Sequence, residues 1–336
     1  MLKKTATLMI SAAALLALSA EYVPAQAATT LKVSTCLSRN HDYIEAYFDT
    51  FFNPLNAKKT DLKLRYLGGP EVTPRKKQAS ALKRGLIDMI VCPAAYYGGL
   101  LSTARMPGLQ NQNLEKLKAN GAYAMMQESW NKGLNAQILA WVHFKGQKFF
   151  IYTRFKPKMN AKTGIDLTGF KMRSTGLYRA FLKAMGATPV NISPGDVYAA
   201  LERGVVSGLA WPWGSIGKYG WQKFLKYRIE PGFFGATMLT LVNKEKWDSL
   251  SQGQRDMLTK QARAYETLSD EIIIKKGHAD DKKLKAAGVQ IIKLEGALKK
   301  AYVDSIYKAK WAENDKLKYN IDYKKLKAKM YVEPGS

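Results

Sequence analysis

Arg173 is the side chain in this sequence best suited to chemistry on a small anion. It stands in the stretch from Gly169 to Gly214, GFKMRSTGLYRAFLKAMGATPVNISPGDVYAALERGVVSGLAWPWG. Phe170 to Met172 is a short apolar and basic run suited to a strand. Ser174 and Thr175 are helix-start residues, and Leu177, Phe181, Leu182 and Met185 recur with helical spacing up to a stop at Gly186. The pattern puts Arg173 on the step from strand to helix. There its guanidinium fork and the free amides of a helix N-terminus can face one carboxylate. On position alone, a surface arginine in a surface turn fits the same residues.

Other chemistry lacks residues to carry it. The three histidines, His41, His143 and His278, are far apart in the chain, and no HExxH or CxxC occurs. No Walker loop, GxGxxG or GxSxG appears either. The sequence therefore reads as a binder and not an enzyme, with no metal and no cofactor expected. Its formal charge of +26 raises a rival of another class, an exported protein that binds nucleic acid or polyanions. The lysines are spread along the chain without a zinc-finger, homeodomain or RNA-recognition signature. A solvated basic surface is the expectation, with no nucleic-acid partner.

The elements that must position these residues begin after a targeting segment. Lys3 and Lys4 precede an apolar run from about Ala6 to Ala20, and Ala25-Gln26-Ala27 is a small-x-small cleavage site. Residues 1–27 read as a secretory signal peptide. Removing them subtracts Lys3, Lys4 and Glu21 and leaves +25. No later run approaches the roughly 20 apolar residues needed to span a bilayer. A soluble, exported protein is expected, long enough for two domains or one large one. Cys36 and Cys92 allow one disulfide in an oxidising compartment, although two inert buried thiols are the expectation.

Strands then alternate with helices. Leu31 to Ser34 is a strand, and Ile44, Tyr47, Phe48 and Phe51 mark an amphipathic helix. Leu62 to Leu67 is a second strand, Thr73-Pro74 opens a helix running to Gly85, and Leu86 to Val91 is a buried strand. This alternation indicates parallel α/β construction. Ala81-Leu82-Lys83-Arg84-Gly85-Leu86-Ile87 aligns without a gap with Ala200-Leu201-Glu202-Arg203-Gly204-Val205-Val206, and the match extends to Pro93 and Pro212. Each copy is a helix end, a glycine cap, an apolar strand and a proline stop, as expected of two similarly built lobes. Ligands bind beyond the carboxyl ends of such strands, which points Cys92 and Trp211 into a cleft. Phe149 to Thr153 and a strand at Met238 to Val242 are the expected crossings. Ser251 opens a helical pattern from about Gln252 to Lys285, near 50 Å at roughly 1.5 Å per residue. Val289 to Leu294 is a strand, and a Lys-rich amphipathic tail follows.

Taken together, these segments resemble the substrate-binding proteins of tripartite ATP-independent periplasmic (TRAP) transporters. The resemblance rests on Gly68 to Pro74, Gln78 through Asp88, Tyr96-Tyr97, Leu167 to Arg173, Gly186-Ala187-Thr188-Pro189-Val190, the Tyr198 to Gly208 run, Asn243 and Trp247. It implies a two-lobed type II periplasmic binding-protein fold with crossing strands and a long helix spanning both lobes. One lobe would comprise 28–146 with about 236–276, and the other about 147–235 with 277–336. It also implies capture of a small organic acid by hinge closure and delivery to TRAP membrane subunits, by a monomer in the periplasm. An ABC-type or sensor-coupled binding protein is the rival on the same fold.

Arg173 matches the family arginine that pairs with the ligand carboxylate, and Lys148 lies where many members have a second basic residue. Trp211 stands where several sugar-acid binders have asparagine; Ser207 and Asp196 replace a usual aspartate and glutamate. A tryptophan there offers an apolar wall to an aromatic or bulky apolar monocarboxylate. Small 2-oxo or 2-hydroxy acids are the alternative. Trp213, His41, Glu71, Tyr96 and Tyr152 complete the expected ligand-binding set.

Overall fold

One sheet runs through the whole molecule, and its order repeats from either end. The structure, a computed structural model, describes residues 28–332, so the expected signal peptide lies outside the described residues. The strands are β1 (Thr29–Thr35), β2 (Leu62–Gly68), β3 (Met89–Cys92), β4 (Ala136–Thr153), β5 (Lys158–Asn160), β6 (Gly164–Asp166), β7 (Lys171–Ser174), β8 (Thr188–Asn191), β9 (Gly208–Pro212), β10 (Tyr227–Asn243) and β11 (Gln290–Lys293). The main sheet runs β2-β1-β3-β10-β4-β9-β7-β8, with β11 beside β10 and the β5–β6 hairpin apart. In one half β1 pairs parallel with β2 and β3; in the other β7 pairs parallel with β8 and β9. Each parallel half joins one long strand antiparallel, β3 to β10 and β9 to β4.

The internal repeat in the sequence is the local cause of this symmetry. Gly85 and Gly204 both close their helices with positive φ, +69° and +68°. The next amides then turn back, Leu86 to the Ala81 carbonyl at 3.0 Å and Val206 to the Ala200 carbonyl at 3.3 Å. Leu86 and Val205 are left exposed, so β3 and β9 each begin four residues beyond the glycine, later than apolar pattern alone suggests.

β4 and β10 cross between the halves and pair with each other from Thr153–Tyr227 to Ala136–Asn243, a length of about 55 Å at roughly 3.3 Å per residue. The sequence marked only the end of each. Helix Gln252–Ala286 matches its expected bounds and opens with a Ser251–Gln254 capping box. Its first half packs Tyr265 against Tyr47 and Phe51. Pro54 has no N–H to offer the Thr50 carbonyl, and the chain passes through a π turn at Phe48–Phe52. Gln261 of the long helix supplies the missing donor at 2.7 Å. Farther along, Gly277 lies under Trp213 and Leu284 enters the second half's own core, with Val197, Leu201, Leu209 and Trp221. The helix therefore spans both lobes.

Cys36 and Cys92 form a disulfide, contrary to the expectation of free thiols. Parallel pairing of β1 with β3 brings the two strand ends together, with Cys36 N on the Val91 carbonyl at 3.2 Å and the two Cα atoms 5.3 Å apart. In the tail, helix Gly296–Asn314 packs on helix Arg179–Ala184, whereas helix Tyr323–Met330 returns to helix Ala122–Leu134. Among the described residues, no helix is long and apolar enough to cross a membrane.

Candidate ligand-binding site

Arg173 lies on β7 between Leu209 of β9 and Val190 of β8, and its side chain is fully buried. The helix expected to start at Ser174 does not. Thr175 Oγ1 accepts from Leu177 N at 3.2 Å, the Tyr178 amide bonds the Thr175 carbonyl, and helix begins only at Arg179. Arg173 is thus held by its sheet and not by a helix N-terminus. Its Nε donates to the Ile192 carbonyl at 3.0 Å, while neither Nη1 nor Nη2 has a partner. A desolvated cation without a counter-charge costs several kcal/mol on general grounds. A bound carboxylate would offset that cost, because its two oxygens match the two free arms of the guanidinium.

The groups around this cation are aromatic bodies with polar tips. The guanidinium carbon sits 5.2 Å from the Trp211 ring centre, a cation–π contact. Trp211 is buried, packs edge-on against Trp221 at 4.8 Å, and has no partner for Nε1. His41 lies 6.1 Å from Trp211, ring to ring. Its Nδ1 accepts from Tyr43 N at 3.2 Å, capping helix Asp42–Tyr47. Burial pushes the His41 pKa down to about 4, against the opposing pull of Asp42. The neutral ring with Nδ1 accepting carries its proton on Nε2, so His41 is a donor on its other side. Tyr43 stacks on Phe144 at 4.4 Å, and its buried hydroxyl is unpartnered. Burial raises the pKa of Tyr43 and of Tyr178, although the charge of Arg173 works the other way on Tyr178. Both hydroxyls stay protonated. The cluster is donor-rich and would receive a ligand rich in acceptor oxygens.

Two cavities open between the halves of the sheet. One of about 640 Å³ is lined by Leu37, His41, Glu71, Asn191 and Ser193. The other, about 510 Å³, is lined by Tyr96, Thr175, Leu177 and Asn191. They share Arg75, Lys76 and Asn191, and Arg173 itself is in the wall of neither. Contacts across the cleft close over it. Arg75 lies over the Tyr96 ring at 4.5 Å and donates to Ser193 Oγ at 3.2 Å. Lys218, beyond β9, pairs with Asp42 at 2.8 Å and Glu45 at 2.9 Å, beyond β1, and Ser215 also bonds Asp42. The loop carrying these groups is fixed by Asp280 of the long helix, which accepts from Ile216 N at 3.1 Å and Gly217 N at 2.7 Å.

Of the residues expected from sequence, Arg173, Trp211 and His41 come together, with Tyr96 at the neighbouring cavity wall. Cys92, also expected to face the cleft, is committed to its disulfide. Trp213 lies instead on the long helix, edge-on to His278 at 4.9 Å. Tyr152 is fully buried in the second core beside Arg228. Glu71 turns back on its own loop and accepts from Gly69 N, at the rim of the larger cavity. Lys148 sits opposite Gly235 on the crossing strands, exposed, and among the described residues no contact links it to Arg173. Sequence reasoning passed over Tyr43, Tyr178, Arg75 and Asn191. Tyr43 and Tyr178 stand near His41 and Arg173 in the chain, a proximity that hinted at both; Arg75 and Asn191 carried no such signal.

The profile of the bacterial extracellular solute-binding proteins, family 7, matches residues 52–314. A monocarboxylate 2-oxoacid-binding periplasmic protein of a Nostoc strain is 29% identical over 107 residues, 30% of this chain. That match spans only 28% of the relative's length. Among solved structures, a TRAP transporter solute-binding protein of Bordetella bronchiseptica, with copurified calcium and picolinate bound, superposes with a TM-score of 0.76 at 21% identity, covering 90% of this chain and 92% of that one. A TRAP periplasmic solute-binding protein of Desulfovibrio salexigens with bound orotic acid gives 0.73 at 16% identity, covering 85% and 92%.

Proposed function

Because the chain belongs to the bacterial extracellular solute-binding proteins of family 7, the receptors of TRAP transporters, we propose that it captures a small organic acid in the periplasm and presents it to TRAP membrane subunits, acting as a monomer. The observation that carries this reading is the buried Arg173 with two unpartnered guanidinium nitrogens. One lobe is taken as residues 28–146 with about 236–276, and the other as about 147–235 with 277–336, apart from the terminal helix that packs back on the first. The cleft then lies where β4 and β10 cross, and Arg173 holds the carboxylate between the lobes. Lys148 is assigned a lesser, outer role.

The body of the ligand is assigned as aromatic or bulky and apolar. Trp211 supports this by setting ring surface against the cation, with the stacked pair Tyr43 and Phe144 beyond His41. Similar proteins that hold picolinate and orotic acid also take ring acids. Arg173 covers a face of Trp211, so the ring edge and Nε1 are the parts left for the ligand. A second reading, a small 2-oxo or 2-hydroxy acid, draws on the unpartnered donors of Trp211 and Tyr43 and on the 2-oxoacid-binding relative. A thermal-shift screen of organic acids separates the two, since a ligand that binds only the folded form raises the melting temperature. Aromatic acids should head the list, and their stabilisation should shrink in Trp211→Asn and be better kept in Trp211→Phe. A list headed by pyruvate-like acids would select the second reading. One headed by sugar acids or dicarboxylates would remove Trp211 from the site.

A further inference from the structure

The cavity of about 510 Å³ has an unusual charge balance. Its wall holds five cations, Arg75, Lys76, Arg105, Arg179 and Lys310, against one carboxylate, Glu313. That carboxylate is shared, at 2.5 Å from Lys310 and 3.3 Å from Arg105. Lys310 is buried and also donates to the Gly176 carbonyl at 2.8 Å. Among the described residues Arg75, Lys76 and Arg179 have no carboxylate within ion-pair distance, and the buried Nε of Arg75 has no partner at all. Cations gathered around one concave space repel one another, most strongly where burial leaves little water to screen them, as at Lys310. An anion placed there would be attracted by all of them at once. The solid part of the wall adds neutral donors from Thr175 and Asn191.

We propose that this cavity is a second anion site, taking a small, multiply charged oxyanion, separate from the carboxylate site at Arg173. The wall comes from both halves of the sheet: Arg75, Lys76 and Arg105 lie around β2 and β3, while Arg179 and Asn191 lie around β7 and β8. An anion held by both halves binds the closed form better than the open one. It therefore raises affinity for the organic acid, and the acid raises affinity for the anion by the same factor.

Calorimetry on the mature chain tests this with inorganic phosphate and with succinate, at ionic strength held constant with sodium chloride. The expected result is one saturable site for at least one probe, weakened tenfold or more in Lys76→Gln/Arg179→Gln and retained in Arg173→Ala. Both substituted residues of the double variant are exposed, so folding should survive. Which probe binds tells whether the oxyanion is phosphate-like or a dicarboxylate. No saturable binding of either probe would overturn the proposal. So would binding lost in Arg173→Ala and indifferent to the double variant, since the probe would then occupy the carboxylate site. The proposal does not rest on Arg173, whose own role is read separately from organic-acid binding.

Discussion

At the scale of the residue, the site turns on two buried side chains, Arg173 and His41. Arg173 is held by the Ile192 carbonyl and the Trp211 ring, close to Tyr178. Truncating it in Arg173→Ala should weaken ligand binding by about 2–5 kcal/mol, the range for removing a buried charge partner. Arg173→Lys should fail too, since a point charge cannot replace the planar fork. Unchanged affinity by calorimetry in either variant would take Arg173 out of the site. For His41, burial sets the charge state. Its folded pKa of about 4 is below the ordinary 6.5, so the stability it lends is fully present above 6.5 and is lost as pH falls towards 4. His143, also lowered to about 4 by burial, adds to the same loss. Asp280 opposes them: burial raises it to about 6, so its contribution is lost as pH rises through that value. At about pH 5 the His41 share is roughly 2 kcal/mol. His41→Asn keeps a capping oxygen and removes the titration. The fall in denaturation free energy between about pH 7 and 5 should therefore be smaller in the variant; an equal fall would mean the His41 ring is not desolvated.

At the scale of the element, the long helix is shaped by what it must pass. Gly277 is mid-helix, where glycine ordinarily costs about 1 kcal/mol relative to alanine. A Cβ there would meet the Trp213 ring at 2.8 Å. Gly277→Ala should consequently lower the melting temperature in spite of its better helix propensity. The sign should reverse when the same change is made in Trp213→Ala. A stabilised single variant would show that Trp213 does not seat against the helix. The same packing explains why Trp213, one of two tryptophans flanking Pro212, is scaffold while Trp211 meets Arg173. β9 ends at Pro212, and the turn that follows, with Gly214 at φ +94°, carries the Trp213 ring away from the neighbours of Trp211.

At the scale of the molecule, the proposed capture of a solute has the two halves hinge about their long paired strands. The ion pairs of Lys218 with Asp42 and Glu45, and the Arg75 to Ser193 bond, join the two halves. A carboxylate held at Arg173 should favour the closed arrangement, an instance of domain closure around a solute. Small-angle scattering should give a smaller radius of gyration with saturating ligand than without. Identical curves would argue for a rigid receptor.

Periodicity, glycine caps and the duplicated helix-to-strand joint determined most of the architecture from the sequence alone. These are local signals: Gly85 and Gly204 need positive φ whatever surrounds them, and a capped 35-residue apolar stripe is legible without a partner. Arg173 stood out as a cation on a step from strand to helix-start residues, but that position fits a surface arginine equally, and its expected role came from the family resemblance. Tertiary structure decided what those residues face. The Cys36–Cys92 bond depends on β1 and β3 being neighbours, which no spacing along the chain records. Tyr152 and Tyr43 are alike as residues, and both keep unpartnered hydroxyls, yet one lies in the second core beside Arg228 and the other stacks on Phe144 next to His41. Arg75 and Asn191 become walls of one space only because the crossing of β4 and β10 folds the two halves together. Burial and contact are properties of pairs distant in the chain, so the fold could be read before the site could.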